Sequence, residues 1–161
     1  FFINLPLINY YEHGTYLTVG HAHAAMFGAF GFLALGMVTY MLRIAVDPDQ
    51  WNPTRLKWAF WLWNAGLAVM VFGSVLPVGF LQLETAFTVS YDAARSLAFY
   101  NRDLVQLLFW ARLPGDTLLI LGTVVFAYDT VKQRFALRDT SIPAGVPGSS
   151  VVSSRVLPDD D

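Results

Sequence analysis

The chain has no cysteine. Disulfides, thiolate metal sites and cysteine nucleophiles are therefore excluded, as is covalently attached c-type haem, which needs a Cys-x-x-Cys-His run. Charge is scarce too: 14% of the 161 residues are charged against 55% hydrophobic, and the mean hydropathy is positive. The net charge of −2 offers no basic surface to a nucleic-acid partner. Histidine is limited to His13, His21 and His23. The first residue is Phe1, with no methionine, basic region or cleavage signal around it. On that ground the chain is expected to be the back end, a carboxy-terminal fragment, of something longer.

What it has in abundance is long apolar runs. Blocks of ~18 or more residues with few charges read as membrane spans, and three occur, at about 16–42, 53–83 and 104–131. The expected fold class is all-α: an integral membrane helical bundle of three transmembrane helices plus an interfacial helix, part of a larger bundle. The first run would be roughly 40 Å long as a helix, enough to cross with a tilt. Thr15 or Thr18 is placed to cap it. Gly20, Ala24 and Gly28 fall four apart, a row of small residues that suits close helix packing and also leaves room for a flat ligand.

Residues 1–15 are expected to be a periplasmic-side connection, irregular around Pro6 and Gly14, with Tyr10, Tyr11 and Tyr16 at interfacial depth. Pro48 and Pro53 should end the first helix and begin the second. Trp58, Trp61 and Trp63 read as an aromatic belt. Asn64 reads as an interhelical hydrogen-bonding residue, and Pro77 as a kink. Residues 84–103 are mixed in polarity and read either as a surface-lying amphipathic helix or as an extension of the second span. Pro114-Gly115 predicts one third helix continuing through a kink. Residues 136–161, rich in Pro, Gly, Ser and Val, read as a disordered cytoplasmic tail. Arg43, Arg55, Lys57, Lys132, Arg134 and Arg138 fall on one side of the three spans and Arg95, Arg102 and Arg112 on the other. The richer side should be cytoplasmic.

The chemistry concentrates at His21-Ala22-His23, at the head of the first apolar run. Residues two apart on a helix point roughly 200° away from each other. Such a pair cannot grip one metal ion, but each imidazole can hold a separate planar cofactor, and neutral imidazole is an axial ligand for haem iron. The expectation is one helix shared between two haems. Arg112 and Asp116 share a helical face at i,i+4 spacing and read as an ion pair just below the outer interface.

The run NYYEHGTYLTVGHAHAAMFGAFG, followed by ARLPGDTLLILG at 111–122, resembles the catalytic subunit of bacterial nitric oxide reductases. These are the nitric-oxide-reducing branch of the haem–copper oxidase superfamily, and the resemblance covers most of residues 3–135. It implies that His21 is the proximal ligand of a high-spin haem b and His23 one axial ligand of a low-spin haem b. Two electrons and two protons would then convert two NO to N2O and water. His13 and Asn9 match positions expected near a haem propionate. Glu12 matches as well, with no proton-transfer role assigned. In the quinol-dependent members an aspartate lines the presumed quinol site, and Asp116 occupies a matching place. The non-haem iron of the full protein takes its ligands from earlier helices, outside this chain, as does the second axial ligand of the low-spin haem. The implied partners are the membrane, the remaining helices of the same protein and an electron donor, quinol or cytochrome c. The implied location is the bacterial inner membrane.

Three other readings carry different expectations. A terminal oxygen-reducing oxidase of the same superfamily would share the histidine pair. A membrane haem-b electron-transfer module would bind haem without a substrate. A three-helix packing domain would have histidines that bind nothing.

Overall fold

The computed structural model describes residues 4–46 and 51–134. Within them the chain is helical, without a strand, and three helices are long and apolar enough to cross a membrane: Tyr16–Ala45, Pro53–Thr88 and Asp103–Gln133. At ~1.5 Å per residue, 30 residues extend about 45 Å, well beyond a hydrocarbon core of ~30 Å. These helices contain the intervals expected from sequence and run past most of their ends. Residues 136–161, expected to be a tail, and Pro48 lie outside the described residues.

Local chemistry explains the helix starts. Thr15 sits in extended backbone and its hydroxyl accepts the Leu17 N–H at 3.2 Å, capping the first long helix. Thr18, the other candidate, turns its hydroxyl back to Glu12 instead. Asn52 caps the second helix by accepting from the Thr54 N–H at 3.0 Å, with Pro53 in the first turn, where a missing N–H costs nothing.

Four expectations need correction. Residues 6–12 are not irregular but form a short helix, Pro6–Glu12, again with proline at its head. It ends because Gly14 takes φ 72°, a left-handed conformation that other residues resist. Trp58 and Trp61 are exposed as a lipid-facing belt requires, but Trp63 is 6% exposed. Its indole N–H donates to Thr123 Oγ1 at 3.2 Å on the third helix, so it is core. Asn64 donates to the Phe60 carbonyl of its own helix at 2.8 Å, not to a neighbour. The third helix does not run continuously through Pro114. It breaks just before, into Asp103–Trp110 and Leu113–Arg134, with Arg112 N–H bonding only three residues back to Phe109 O. Proline cannot serve the carbonyl four residues behind it and crowds that turn, and the chain responds by tightening.

Only the first five residues of 84–103 extend the second span, and the remainder is neither that extension nor one amphipathic helix. The second helix continues to Thr88, then a 3-10 turn (Ala93–Arg95) and a one-turn helix (Leu97–Tyr100) lead to Asp103. Proline also shapes the middle of the second helix. Upstream of Pro77 the backbone widens into a π turn, Val71–Val75, where the Leu76 N–H follows with a bond to Val71 O, five residues back. The first helix has a longer π stretch, His23–Gly31, closed by the Phe32 N–H bonding to Phe27 O.

The second and third helices pack backbone to backbone. A Cβ on Gly66 would stand 2.8 Å from Gly115 O, and one on Gly122 would stand 2.7 Å from the Trp63 ring. The first helix joins them by its amino-terminal half. Gly20 lies against Val75 and Leu76, Gly28 against Leu67, and Gly79 against Leu17. A core of Met70, Val71 and Val75, flanked by Tyr16, Val19 and Leu119, fills the joint. Beyond it the first helix exposes Leu33, Met37 and Met41, an apolar face suited to lipid or further helices.

Candidate functional site

The joint between the first and second long helices holds a cavity of about 420 Å³. Leu17, Ala24, Val71, Phe72 and Leu76 form apolar walls, and the polar side chains in the lining are His21 and Glu12. Two residues of the small-residue row, Gly20 and Ala24, line it. Gly20 also contacts the second helix, so the row both packs helices and leaves space.

His21 and His23 are arranged as the spacing requires. Ala22 and His23 keep α-helical φ and ψ, so the π stretch begins without disturbing the roughly 200° between the two side chains. His21 faces the cavity; His23 is not part of its lining. His23 Nδ1 lies 2.8 Å from the Val19 carbonyl oxygen. That carbonyl selects the tautomer with the proton on Nδ1 and leaves Nε2 as a lone-pair donor. Neither ring nitrogen of His21 has a partner among the described residues. Both imidazoles therefore fit axial ligation of a haem iron, and the apolar walls beside His21 suit a porphyrin face. Among the described residues no three His, Asp or Glu side chains converge as a metal site.

The short helix Pro6–Glu12 and its turn supply the other polar groups. Glu12 is 3% exposed. Its carbonyl accepts from the Thr15 and Thr18 hydroxyls at 2.6 and 3.0 Å, and its Oε1 accepts from Thr18 at 3.0 Å. Its Oε2 is buried with no partner. His13 is exposed, and its backbone carbonyl accepts from the Arg95 guanidinium and, at 3.4 Å, from Tyr91 Oη. The Asn9 carbonyl accepts the His13 N–H at 2.8 Å. Asp116 lies elsewhere, on the third helix, held by Arg112 Nε at 2.9 and 3.2 Å; it is not in the cavity lining.

Two polar groups that support this arrangement escaped the sequence reading. Gln82 is fully buried; its Oε1 accepts from Tyr16 N–H and its Nε2 donates to Ala94 O and Tyr100 Oη. Asp129, also fully buried, pairs with Arg55 and accepts from Gln133 Nε2. The available signal was simply a Gln or an Asp inside an apolar run, where such residues mark bonded or functional positions.

The fold is a helical bundle with three membrane-spanning helices. The chain belongs to the family described as Cytochrome C and Quinol oxidase polypeptide I, which matches residues 1–118. Members of this family bind haem and are oxidoreductases. A nitric oxide reductase subunit of Stutzerimonas stutzeri is 27% identical over 83% of this chain and 28% of its own length. A cytochrome c oxidase subunit 1 homolog of Agrobacterium tumefaciens (strain T37) is 26% identical over 79% of the chain and 24% of its length. Cytochrome c oxidase subunit 1 of Rhodobacter capsulatus is 25% identical over the same shares. The chain thus spans about a quarter of the length of the relatives it matches.

Proposed function

We propose that this chain is the part of a membrane nitric oxide reductase that carries one axial ligand for each of two b-type haems. His21 would hold the high-spin haem, and His23 would hold the low-spin haem that feeds it. The bound haems supply electron transfer and the iron at which two NO, two electrons and two protons become N2O and water. The chain's own residues would hold the two haems on opposite sides of one helix, with apolar side chains beside His21. His13 and Asn9 lie near the haem propionates. The non-haem iron and its ligands belong to the rest of the protein. In the bacterial inner membrane the His21 end faces the periplasm and the 43–57 loop the cytoplasm.

The observation that carries this reading is the disposition of the imidazoles: His21 turned into the cavity, His23 turned out of it with Nδ1 on the Val19 carbonyl. The run EHGTYLTVGHAHAAMFG adds the branch. The test is optical. Reduced-minus-oxidised spectra, with and without CO, are recorded on the complete protein as wild type, His21→Ala and His23→Ala. Loss of the CO-reactive haem in His21→Ala and of the low-spin signal in His23→Ala is expected. Retention of both signals in both variants would reduce the histidines to packing residues.

A second reading, an oxygen-reducing oxidase, draws on the oxidase relatives at 24–26% identity. Turnover by the same preparation separates the two, because the proposed enzyme consumes NO in the absence of oxygen and releases N2O.

A further inference from the structure

The two histidines differ in what holds them. His23 has a backbone carbonyl on Nδ1, whereas His21 has no partner on either nitrogen among the described residues. An imidazole on a metal needs its second nitrogen protonated and held by an acceptor, which fixes the ring and sets how strongly it donates to the metal. The wall of the His21 cavity contains one acidic group, Glu12. That carboxyl is 3% exposed and its Oε2 has no partner, an arrangement that costs stability unless something donates to it. It is not free to swing out to water, because Thr18 holds Oε1 and the Glu12 carbonyl, and Thr15 holds that carbonyl too.

The residues that carry this spare acceptor and this spare donor thus line one cavity. Resting on the haem reading of His21 above, we infer that Glu12 is the positioning residue for His21: its Oε2 accepts the N–H of the iron-bound ring, directly or through one water in the cavity. A carboxylate acceptor draws that proton more strongly than a carbonyl does, so His21 gains imidazolate character that His23 lacks. The high-spin iron then has the more basic axial ligand of the two, and its ferric form is favoured relative to the same site without the carboxylate. The two haems on one helix are differentiated by what stands behind each histidine.

The experiment uses the complete haem-loaded protein. The iron–histidine stretching mode of the ferrous high-spin haem is read by resonance Raman, and the midpoint potentials of both haems by redox titration. Glu12→Gln keeps the shape and the Thr18 bond but removes the charge. The expected result is a lower stretching frequency and a raised high-spin potential, with the low-spin haem unchanged and Glu12→Asp between the two. Unchanged stretching frequency and potential in Glu12→Gln would overturn the inference. Should Glu12→Gln not assemble, Thr18→Val, which releases the carboxyl from its tether, is read in the same way: a shifted mode supports the inference and an unchanged mode overturns it. His21→Ala separates the two levels. If it leaves the high-spin haem in place, the haem assignment fails; if it removes that haem while Glu12→Gln changes nothing, only the role of Glu12 fails.

Discussion

Gln82 and Tyr16 are joined at 2.7 Å, the side-chain oxygen of one accepting the backbone N–H of the other. The contact ties the second long helix to the first turn of the helix that carries both histidines. The Gln82 amide is spent on the connecting segment, at Ala94 O and Tyr100 Oη. Three elements therefore meet on one buried side chain. Gln82→Leu keeps the volume but strands Tyr16 N–H and Ala94 O, and an unsatisfied buried group costs about 1–3 kcal/mol. Thermal unfolding of the detergent-solubilised complete protein should show a clear loss of stability and of haem retention. Gln82→Glu, which keeps the acceptor for Tyr16, should lose about half as much. Wild-type stability in Gln82→Leu would mean that packing alone fixes this joint.

Gly79 and Gly73 give opposite expectations on one helix. A Cβ at Gly79 would stand 2.6 Å from the Leu17 backbone nitrogen, while one at Gly73 would meet nothing within 4 Å. Overpacking against backbone costs ~1–3 kcal/mol, whereas Gly→Ala in open helix gains up to ~1 kcal/mol. Gly79→Ala should lower the midpoint of thermal unfolding and perturb the spectra of both haems, because it pushes on the helix that holds His21 and His23. Gly73→Ala should leave the spectra alone and the midpoint equal or higher. Equal effects from both would remove the close approach as the cause.

The long helices were legible because their cause is local: apolar runs long enough to span a bilayer, bounded by hydroxyl or amide caps and by Pro53. The direction of His21 and His23 was legible for the same reason, since it depends on helix geometry and a spacing of two. The failures involve partners distant in sequence. Trp63 looks like its neighbours Trp58 and Trp61, and what makes it core is Gly122, about 60 residues on, which leaves room for its ring. Asn64 reads from sequence as a partner for a neighbouring helix, yet the Phe60 carbonyl of its own helix is within reach. The break before Pro114 was visible as a disturbance, but whether a proline bends a helix or interrupts it depends on what the flanking turns pack against. The free oxygen of Glu12 was not readable at all, because it requires knowing which hydroxyls take the other one.

Asp129 and Arg55 form a pair at 2.5 Å, with Asp129 fully buried and Arg55 about a quarter exposed. Gln133 donates to the second carboxylate oxygen. Removing one partner of a buried pair costs about 3–5 kcal/mol, while replacing both by apolar groups of similar size is often neutral. The partial exposure of Arg55 places this case at the low end. Asp129→Leu and Arg55→Leu should each destabilise the packing of the second helix on the third, Asp129→Leu less because Arg55 reaches water. The double variant should recover most of the Arg55→Leu loss. A double-mutant cycle in thermal unfolding measures the coupling, and additive losses would show that the two side chains act independently.

Arg112 holds both carboxylate oxygens of Asp116, and each side chain is about one third exposed. A pair so open contributes ~0–1 kcal/mol, so Asp116→Asn should leave the fold and both haem spectra intact. The quinol role that the resemblance implies for Asp116 asks more of this carboxylate. A general base that accepts a quinol proton contributes about 100-fold or more to the rate, whereas a structural pair contributes nothing to it. NO consumption by the complete protein is therefore measured with two donors. With quinol, Asp116→Asn should fall by about 100-fold; with an artificial one-electron donor it should match wild type. A parallel fall with both donors would place the defect in the haem relay. Unchanged turnover with quinol would leave Asp116 as the partner of Arg112 and nothing more.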